Sequence, residues 1–370
     1  MINKEPDNLN EILALRVKHT PLNKKVDNLR NRIKGALFGR FAGCILGIPV
    51  EGKPLDYNLD LAKRTGTSYP PITYWKGIDE PDNIQYGVCP RRQYTDGNIK
   101  EVPVDDDITY TILNMALLEK YGLDYSLDDV ASFWLDVLPY ACTAEDTALT
   151  NLKKGVPVRE VKTDPVVVEW IGAAIRADAF GYAKAGRPEE AAKLAYNDAF
   201  LTHVKNGIYG EMFIAATIAA AFVTKTPLDA LKEGMKEIPQ ESKLYQDLVW
   251  ALSYEGKLKD YKEARALLDE HFVGMHWVHT IINMCAIAFS LILGGNDFTK
   301  CISECVAIGL DNDCTGATVG SIVGANIGIE NIDPYWYKDF NDTVRTYIKG
   351  YEKLSLEDVV DRFVKLSESK

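Results

Sequence analysis

The chain has 370 residues, of which 46% are hydrophobic and 26% are charged, and its 42 basic and 53 acidic side chains give a formal net charge of −11. This composition excludes a mainly disordered chain, and the length allows one large domain or two of ordinary size. The acidic balance argues against a basic binding face, so we expect no nucleic-acid partner, and an anionic ligand would need metal ions or backbone amides as its source of positive charge.

The number and setting of the cysteines indicate the redox state of the cellular compartment. The seven cysteines are scattered, odd in number and mostly set in apolar stretches, and no CxxC pair occurs. This pattern is typical of a reducing environment, so we expect a cytoplasmic protein. Residues 1–10 carry charged side chains and no apolar run follows them, so we expect no signal peptide. The longest apolar stretch, 281–293, is shorter than the roughly 20 residues of a membrane span, so no membrane partner is expected.

Helical periodicity begins early in the chain. A helix is predicted over 33–46, where Gly35, Gly39 and Gly43 recur every four residues on one face and permit close helix packing. Prolines and aromatic residues fill 56–104 without a sustained period, so we predict a long ordered loop there, a kind of segment that is often functional. Five aromatic residues of this loop could wall a cleft or only pack the loop itself: Tyr69, Tyr74, Trp75, Tyr86 and Tyr94.

From residue 108 onward the pattern is almost wholly helical. Alternating β-branched runs are nearly absent and no repeat of 20–50 residues recurs, so we predict a single all-α domain around one core. In the last long apolar helix, Gly316, Gly320 and Gly324 again recur every four residues. Helices are predicted over 108–121, 127–138, 189–201, 209–223, 227–237, 243–255, 261–271, 274–293, 298–308, 314–327 and 356–366.

Two acidic clusters each stand directly before a predicted apolar helix: Asp105, Asp106 and Asp107 in the first, and Asp311 and Asp313 in the second. Adjacent carboxylates repel one another unless cations or helix N-termini neutralise them. Capping a helix needs only one aspartate, and either cluster alone is more simply a cap. Five aspartates in two clusters favour a shared cage for two metal ions, because carboxylate oxygens are the ligands that Mg²⁺, Mn²⁺ and Ca²⁺ prefer.

Five segments between about residues 33 and 328 resemble, in order, the motifs of the ADP-ribosylglycohydrolase family. The resemblance implies an orthogonal helical bundle that forms a catalytic domain over 31–370, after an N-terminal extension over 1–30. It also implies two Mg²⁺ ions, with Mn²⁺ as a possible substitute, and hydrolysis of the bond between C1″ of an ADP-ribosyl group and a protein side chain or small molecule. The segments are 35–51, 105–108, 172–176, 202–203 and 309–314.

The resemblance also implies site residues. The metal ligands are assigned to the aspartates of both clusters, with Asp105 at the position of the family's leading Thr. Glu51 matches the family's glutamate near the acceptor bond and is the candidate for general acid/base work, since it lies outside both clusters; a solvated surface glutamate is the alternative.

The predicted substrate-binding residues belong to the two central segments. Backbone N–H groups at Gly172 and Ala173 could bind phosphate, or these small residues could only let two helices approach. His203 could cap a helix, orient the substrate or take part in catalysis.

Some residues depart from the family's motifs. Cys314 stands where the family has a Thr that ligates metal, and a thiol is a poor ligand for Mg²⁺. Thr315 or a backbone oxygen could replace it, or the second metal could be weaker or different. Ile108, Cys44 and Ile171 stand at positions of Thr, Asp and Asn, which bears more on binding of the diphosphate than on the metal site.

The leading hypothesis is therefore a Mg²⁺-dependent hydrolase that removes ADP-ribose from an acceptor. One alternative keeps the chemistry but acts on a smaller N- or O-riboside. Another is a non-catalytic relative that binds ADP-ribose.

Overall fold

The computed structural model describes residues 4–369. Sixteen α-helices account for most of these residues, and two small antiparallel ribbons pair β1 (Ile84–Gln85) with β2 (Cys89–Pro90) and β3 (Val344–Arg345) with β4 (Lys353–Leu354). The all-α prediction is confirmed. The helices are α1 Leu9–Ala14, α2 Leu29–Gly47, α3 Leu55–Thr65, α4 Asp106–Tyr121, α5 Leu127–Val137, α6 Thr143–Lys153, α7 Asp178–Ala183, α8 Pro188–Thr202, α9 Lys205–Ala221, α10 Pro227–Gly234, α11 Lys243–Leu252, α12 Tyr261–His271, α13 Thr280–Gly294, α14 Phe298–Ile308, α15 Asn312–Ile327 and α16 Leu356–Glu368.

The predicted helices recur with shifted ends, and those over 261–271 and 298–308 match α12 and α14 to the residue. The helix predicted from 274 begins only at Thr280, because His279 caps it through its side chain and also forms a β-bridge with Trp170. Four helices were missed: α1, α3, α6 and α7.

The prediction of a continuous loop over 56–104 is wrong at its start, where α3 lies. This helix follows Pro54 and ends at Gly66 in the left-handed conformation, with Lys63 and Arg64 in its last turn. These are ordinary helix boundary signals. The prolines and aromatic residues farther along the segment obscured them.

Helices α2 and α15 pack closely against each other through their glycines, and the spacing of these glycines predicted close helix packing. The two helices run antiparallel, with Gly35 against Gly324, Gly39 against Gly320 and Gly43 against Gly316. A Cβ placed on Gly43 would lie only 1.9 Å from the carbonyl oxygen of Gly316. Since no side chain separates the backbones, the C-terminal end of α2 meets the first turn of α15.

Helix α2 is apolar as well as long. By length and composition Leu29–Val50 could cross a membrane, but 94% of its most apolar window is buried inside this fold. Neighbouring helices therefore cover α2, which is a core helix of this fold.

The residues before α2 lie against the helical body. Asp7 accepts a hydrogen bond from the backbone N–H of Lys205 at 2.7 Å, Tyr209 donates its hydroxyl to the carbonyl of Pro6 at 2.6 Å, and Arg16 pairs with Glu237. The first of these contacts satisfies the N–H of Lys205, the first residue of α9. The division into an extension over 1–30 and a domain over 31–370 stays a prediction.

Replacing Gly43 by alanine should lower the free energy of unfolding by about 2–3 kcal/mol or more, measured by urea denaturation. The new methyl group would meet backbone atoms of Gly316, which cannot rotate away. This loss should exceed the gain of about 1 kcal/mol that alanine brings to a helix interior.

The matched control is Gly77→Ala, whose Cβ would meet only a side-chain methyl of Thr65 at 3.0 Å. We expect this variant to stay within about 1 kcal/mol of the parent protein. Equal losses in the two variants would show that the helix contact is not specially intolerant.

Candidate active site

A cleft of about 340 Å³ opens where α2 ends and α15 begins. After α2, a 3-10 turn over Ile48–Val50 leads to Glu51, and the N–H of Gly52 donates to the carbonyl of Leu310 at 3.0 Å. This bond fixes Glu51 beside the second acidic cluster. The residues that line the cleft are Glu51, Tyr86, Asp106, Cys142, Thr143, Glu145, Trp170, Ile171, Gly172, Ile175, His276, Trp277, Val278, Asp311, Asp313 and Cys314.

The first acidic cluster forms the N-terminal end of α4. Asp105 is the N-cap, and its side chain accepts the N–H of Asp107 at 3.0 Å and the thiol of Cys44 at 3.3 Å. Asp106 faces the cleft and accepts the hydroxyl of Tyr86 at 2.8 Å. Capping and clustering therefore occur together, with Asp105 buried and Asp106 open to a ligand.

Asp107 is held by an arginine that the sequence analysis missed. Arg40, fully buried on α2, donates to Oδ1 of Asp107 at 2.8 Å and to Oδ2 of Asp178 at 2.7 Å. It also donates to the carbonyls of Asp107 and Ile175. An arginine within a stretch of glycines and apolar residues was a usable signal, because a buried guanidinium needs carboxylate partners.

The second acidic cluster begins α15. Asp311 is the N-cap residue but makes no capping hydrogen bond through its side chain, and Asp313 lies in the first turn. One carboxylate oxygen of each has no hydrogen-bond partner although it is buried, and the same holds for Oδ2 of Asp107. Buried unpaired carboxylate oxygens are costly, so this arrangement suits a bound cation.

Three overlapping groups of residues offer ligand atoms, and within each group these atoms lie within 4.8 Å of one another. They share members, so the two acidic clusters form one continuous acidic group, of which Glu51, Asp106, Asp311, Asp313 and Cys314 line the cleft. The groups are Asp105 with Asp106 and Asp107, Asp107 with Asp313 and Cys314, and Glu51 with Asp311 and Asp313.

The electrostatics follow from this crowding. Burial raises the pKa of all five aspartates, to about 6 for Asp311 and about 7 for Asp107, where Arg40 opposes the rise. Glu51 lies open to the cleft, yet its pKa is raised to about 8. The larger cause is that its carboxylate loses part of its water there, and the smaller cause is repulsion from Asp311 and Asp106. The N-terminal ends of α4 and α15 offset part of the negative charge.

Thr315 does not reach the cleft. Its hydroxyl donates to the carbonyl of Asp311 at 3.0 Å, one turn back in the same helix, and it is fully buried. The neighbouring thiol of Cys314 lines the cleft instead. Successive residues of a helix point about 100° apart, so only one of the two could face the carboxylates.

The predicted substrate-binding residues are not all in the cleft. Gly172 lines it, and a Cβ there would lie 2.5 Å from Glu145, which also lines the cleft and which the sequence analysis missed. Ala173 and His203 are fully buried and are absent from the lining.

Arg176 links these buried residues to the cleft. It pairs with Glu145 and Asp198 and donates to Thr202 at 3.0 Å, and Thr202 in turn bonds Nδ1 of His203 at 2.6 Å. Burial lowers the pKa of His203 well below its usual value, so the ring is neutral. His203 therefore supports Arg176 and Glu145 and does not face a ligand.

Aromatic side chains wall the open side. Trp170 and His276 stack with ring centroids 4.5 Å apart and nearly parallel planes, and Trp277 packs on His276. Of the five aromatic residues of 56–104 singled out from the sequence, Tyr86 lines the cleft. Tyr74, Trp75 and Tyr94 pack in the core, and Tyr69 donates to a backbone carbonyl.

Comparison with known proteins agrees with the fold. A solved structure described as an "ADP-ribosylglycohydrolase-related protein complex" has a TM-score of 0.56 and 18% sequence identity, covering 92% of this chain and 99% of that one. At this identity the likeness concerns the fold alone. No curated protein sequence matches the chain significantly. The family model for ADP-ribosylglycohydrolase matches residues 25–370, nearly the whole sequence, and the chain therefore belongs to the ADP-ribosylglycohydrolase family.

Proposed function

We propose that this protein hydrolyses the glycosidic bond between ADP-ribose and an acceptor, a protein side chain or a small molecule, with two divalent cations bound in the cleft. The observation that carries the proposal is the set of buried, unpartnered carboxylate oxygens of Asp107, Asp311 and Asp313 beside the exposed carboxylate of Glu51. Family membership supports glycohydrolase chemistry in general.

The residues present fit such cations. Asp106, Asp107, Asp311 and Asp313 would hold them, with Mg²⁺ as the ion that carboxylate oxygens favour and Mn²⁺ as a substitute. Asp105 belongs to the same cluster and caps α4. When bound, the cations would orient ribose hydroxyls and a water and stabilise negative charge.

Glu51 is the proposed general acid/base. Its raised pKa lets the carboxyl hold a proton near neutral pH, which it can give to the leaving acceptor atom or, once ionised, take from the attacking water. A cation beside Asp311 would lower this pKa, because positive charge favours the carboxylate. Loss of the acceptor would proceed through an oxocarbenium-like transition state.

The cleft volume favours one alternative. About 340 Å³ is near the lower limit of ordinary ligand sites. A smaller N- or O-riboside is therefore the second candidate substrate. Turnover of ADP-ribosyl-arginine, ADP-ribosyl-serine and simple ribosides, compared side by side, separates the two, and binding of ADP-ribose without turnover of any of them would favour a non-catalytic role.

Asp313→Asn should abolish stabilisation of the protein by Mg²⁺, measured as the shift in Tm between chelator and excess Mg²⁺. In the parent protein, Mg²⁺ at 100 times its Kd should add about 2.7 kcal/mol to the free energy of unfolding. Hydrolysis should fall by more than about 100-fold, because even residues that only orient metal ligands are worth about 10–100-fold.

Asp128→Asn is the matched control. Asp128 also lies in the first turn of a helix, α5, but is exposed and far from these clusters in the sequence. Both variants lose one favourable interaction with a helix N-terminus, so only the metal-dependent shift should separate them. A normal Mg²⁺ shift in Asp313→Asn would contradict the proposed cation site.

Glu51→Gln should lower kcat by about 10²–10⁴-fold, the usual worth of a general acid or base, while the Mg²⁺-dependent shift in Tm persists. Glu330→Gln, an exposed glutamate in a 3-10 turn, is the control for both measurements. Loss of the Mg²⁺ shift in Glu51→Gln would instead identify Glu51 as a metal ligand.

A further inference from the structure

A thiol lies between the two acidic clusters, in the group of ligand atoms that links them. The Sγ of Cys314 and carboxylate oxygens of Asp107 and Asp313 lie within 4.8 Å of one another. All three residues are more than nine-tenths buried, with exposed fractions of 7%, 0% and 3%. Oδ2 of Asp107 and Oδ1 of Asp313 have no hydrogen-bond partner. The position therefore offers three neighbouring donor groups, two of which carry a buried carboxylate oxygen without a hydrogen-bond partner.

The adjacent position differs in its donor atoms. Asp311 and Asp313, which are grouped with Glu51, supply carboxylate oxygens alone, and Asp313 belongs to both groups. Two neighbouring positions thus share one carboxylate but present different chemistry, one of oxygen only and one of oxygen with sulfur.

Donor chemistry governs which cation each position takes. Hard Mg²⁺ favours oxygen ligands, whereas thiolate sulfur favours Zn²⁺ and the softer transition metals, and mixed sulfur and carboxylate sets are known for such ions. Two carboxylates and a thiolate carry three negative charges, which a divalent cation would offset together with Arg40, whose charge Asp178 shares. Arg40 also fixes Asp107 through Oδ1, so that Oδ2 is the oxygen left for a ligand.

We propose that the position formed by Asp107, Asp313 and Cys314 binds a borderline transition-metal ion of the Zn²⁺ or Co²⁺ type through the Cys314 thiolate, in preference to Mg²⁺. This refinement rests on the cation pair of the proposed function. As the metal–sulfur bond forms, sulfur donates an electron pair to the ion and the thiol proton leaves to solvent, with no change of oxidation state. The all-oxygen position keeps its preference for Mg²⁺.

Cobalt is a direct probe of this bond. The full-length protein, stripped of metal by a chelator, is titrated with Co²⁺ and followed in the near ultraviolet, where a thiolate-to-Co²⁺ charge-transfer band appears. We expect the band to saturate at one equivalent and to survive excess Mg²⁺. Cys314→Ser should abolish the band and weaken Co²⁺ binding at least tenfold, while the Mg²⁺-dependent shift in Tm remains.

Cys142→Ser is the matched control, because this thiol also lines the cleft but belongs to none of the ligand groups found among residues 4–369. It should keep the band. Circular dichroism verifies the fold of each variant, and Cys314→Thr replaces Cys314→Ser if the latter does not fold. Absence of the band in the parent protein, or its persistence in both Cys314 variants, overturns the proposal.

The same samples distinguish this proposal from the proposed function. A charge-transfer band that depends on Cys314, in a protein that hydrolyses no ADP-ribosyl or riboside substrate with any metal, supports the thiolate site and contradicts the glycohydrolase. Mg²⁺-supported hydrolysis without any band does the reverse.

Discussion

The antiparallel contact of α2 with α15 is the constraint on which the site depends. Glycine at facing positions of both helices lets the backbones touch, and any side chain there would push them apart. Because the helices run in opposite directions, the end of α2 and the beginning of α15 meet at one place. Glu51 and Asp311, far apart in the sequence, therefore share a cleft, and the bond from Gly52 to Leu310 fixes them there.

Buried charge is the second organising feature. Arg40 pairs with Asp107 of the first acidic cluster. Arg176 pairs with Glu145, which lines the cleft, and with the buried Asp198. Such pairs offset the cost of removing carboxylates from water only when their hydrogen bonds are satisfied. Buried oxygens of Asp107, Asp311 and Asp313 have no hydrogen-bond partner beside the cleft, and one oxygen of Asp198 next to Arg176 also has none. In an acidic protein, a cation held there would also supply the positive charge that a diphosphate or ribose ligand needs.

Much of the fold could be predicted because its signals are local. Long apolar helices repeat every three to four residues, and α12 and α14 were predicted to the residue. The six-residue helices α1 and α7 were missed, since so few turns bury too few residues to set a clear period. Helix α6, which is as long as α12, was missed as well. For the site, the sequence identified the aspartates of both clusters as candidate metal ligands and Glu51 as the candidate acid/base. It gave no means of choosing between Thr315 and Cys314, which are adjacent, or of finding Glu145, which stands in no acidic cluster.

By itself, then, the sequence determined the helical class, the spacing of the glycines and the two acidic clusters at helix beginnings, because each depends on neighbours within a few residues. Only the tertiary structure decided which side chains meet. The hydroxyl of Thr315 bonds to a carbonyl of its own helix, and the thiol of Cys314 faces the carboxylates. His203 bonds to Thr202, which accepts from Arg176, and Arg40 donates to Asp107. These outcomes depend on helix rotation and on contacts between distant segments, which no local pattern encodes.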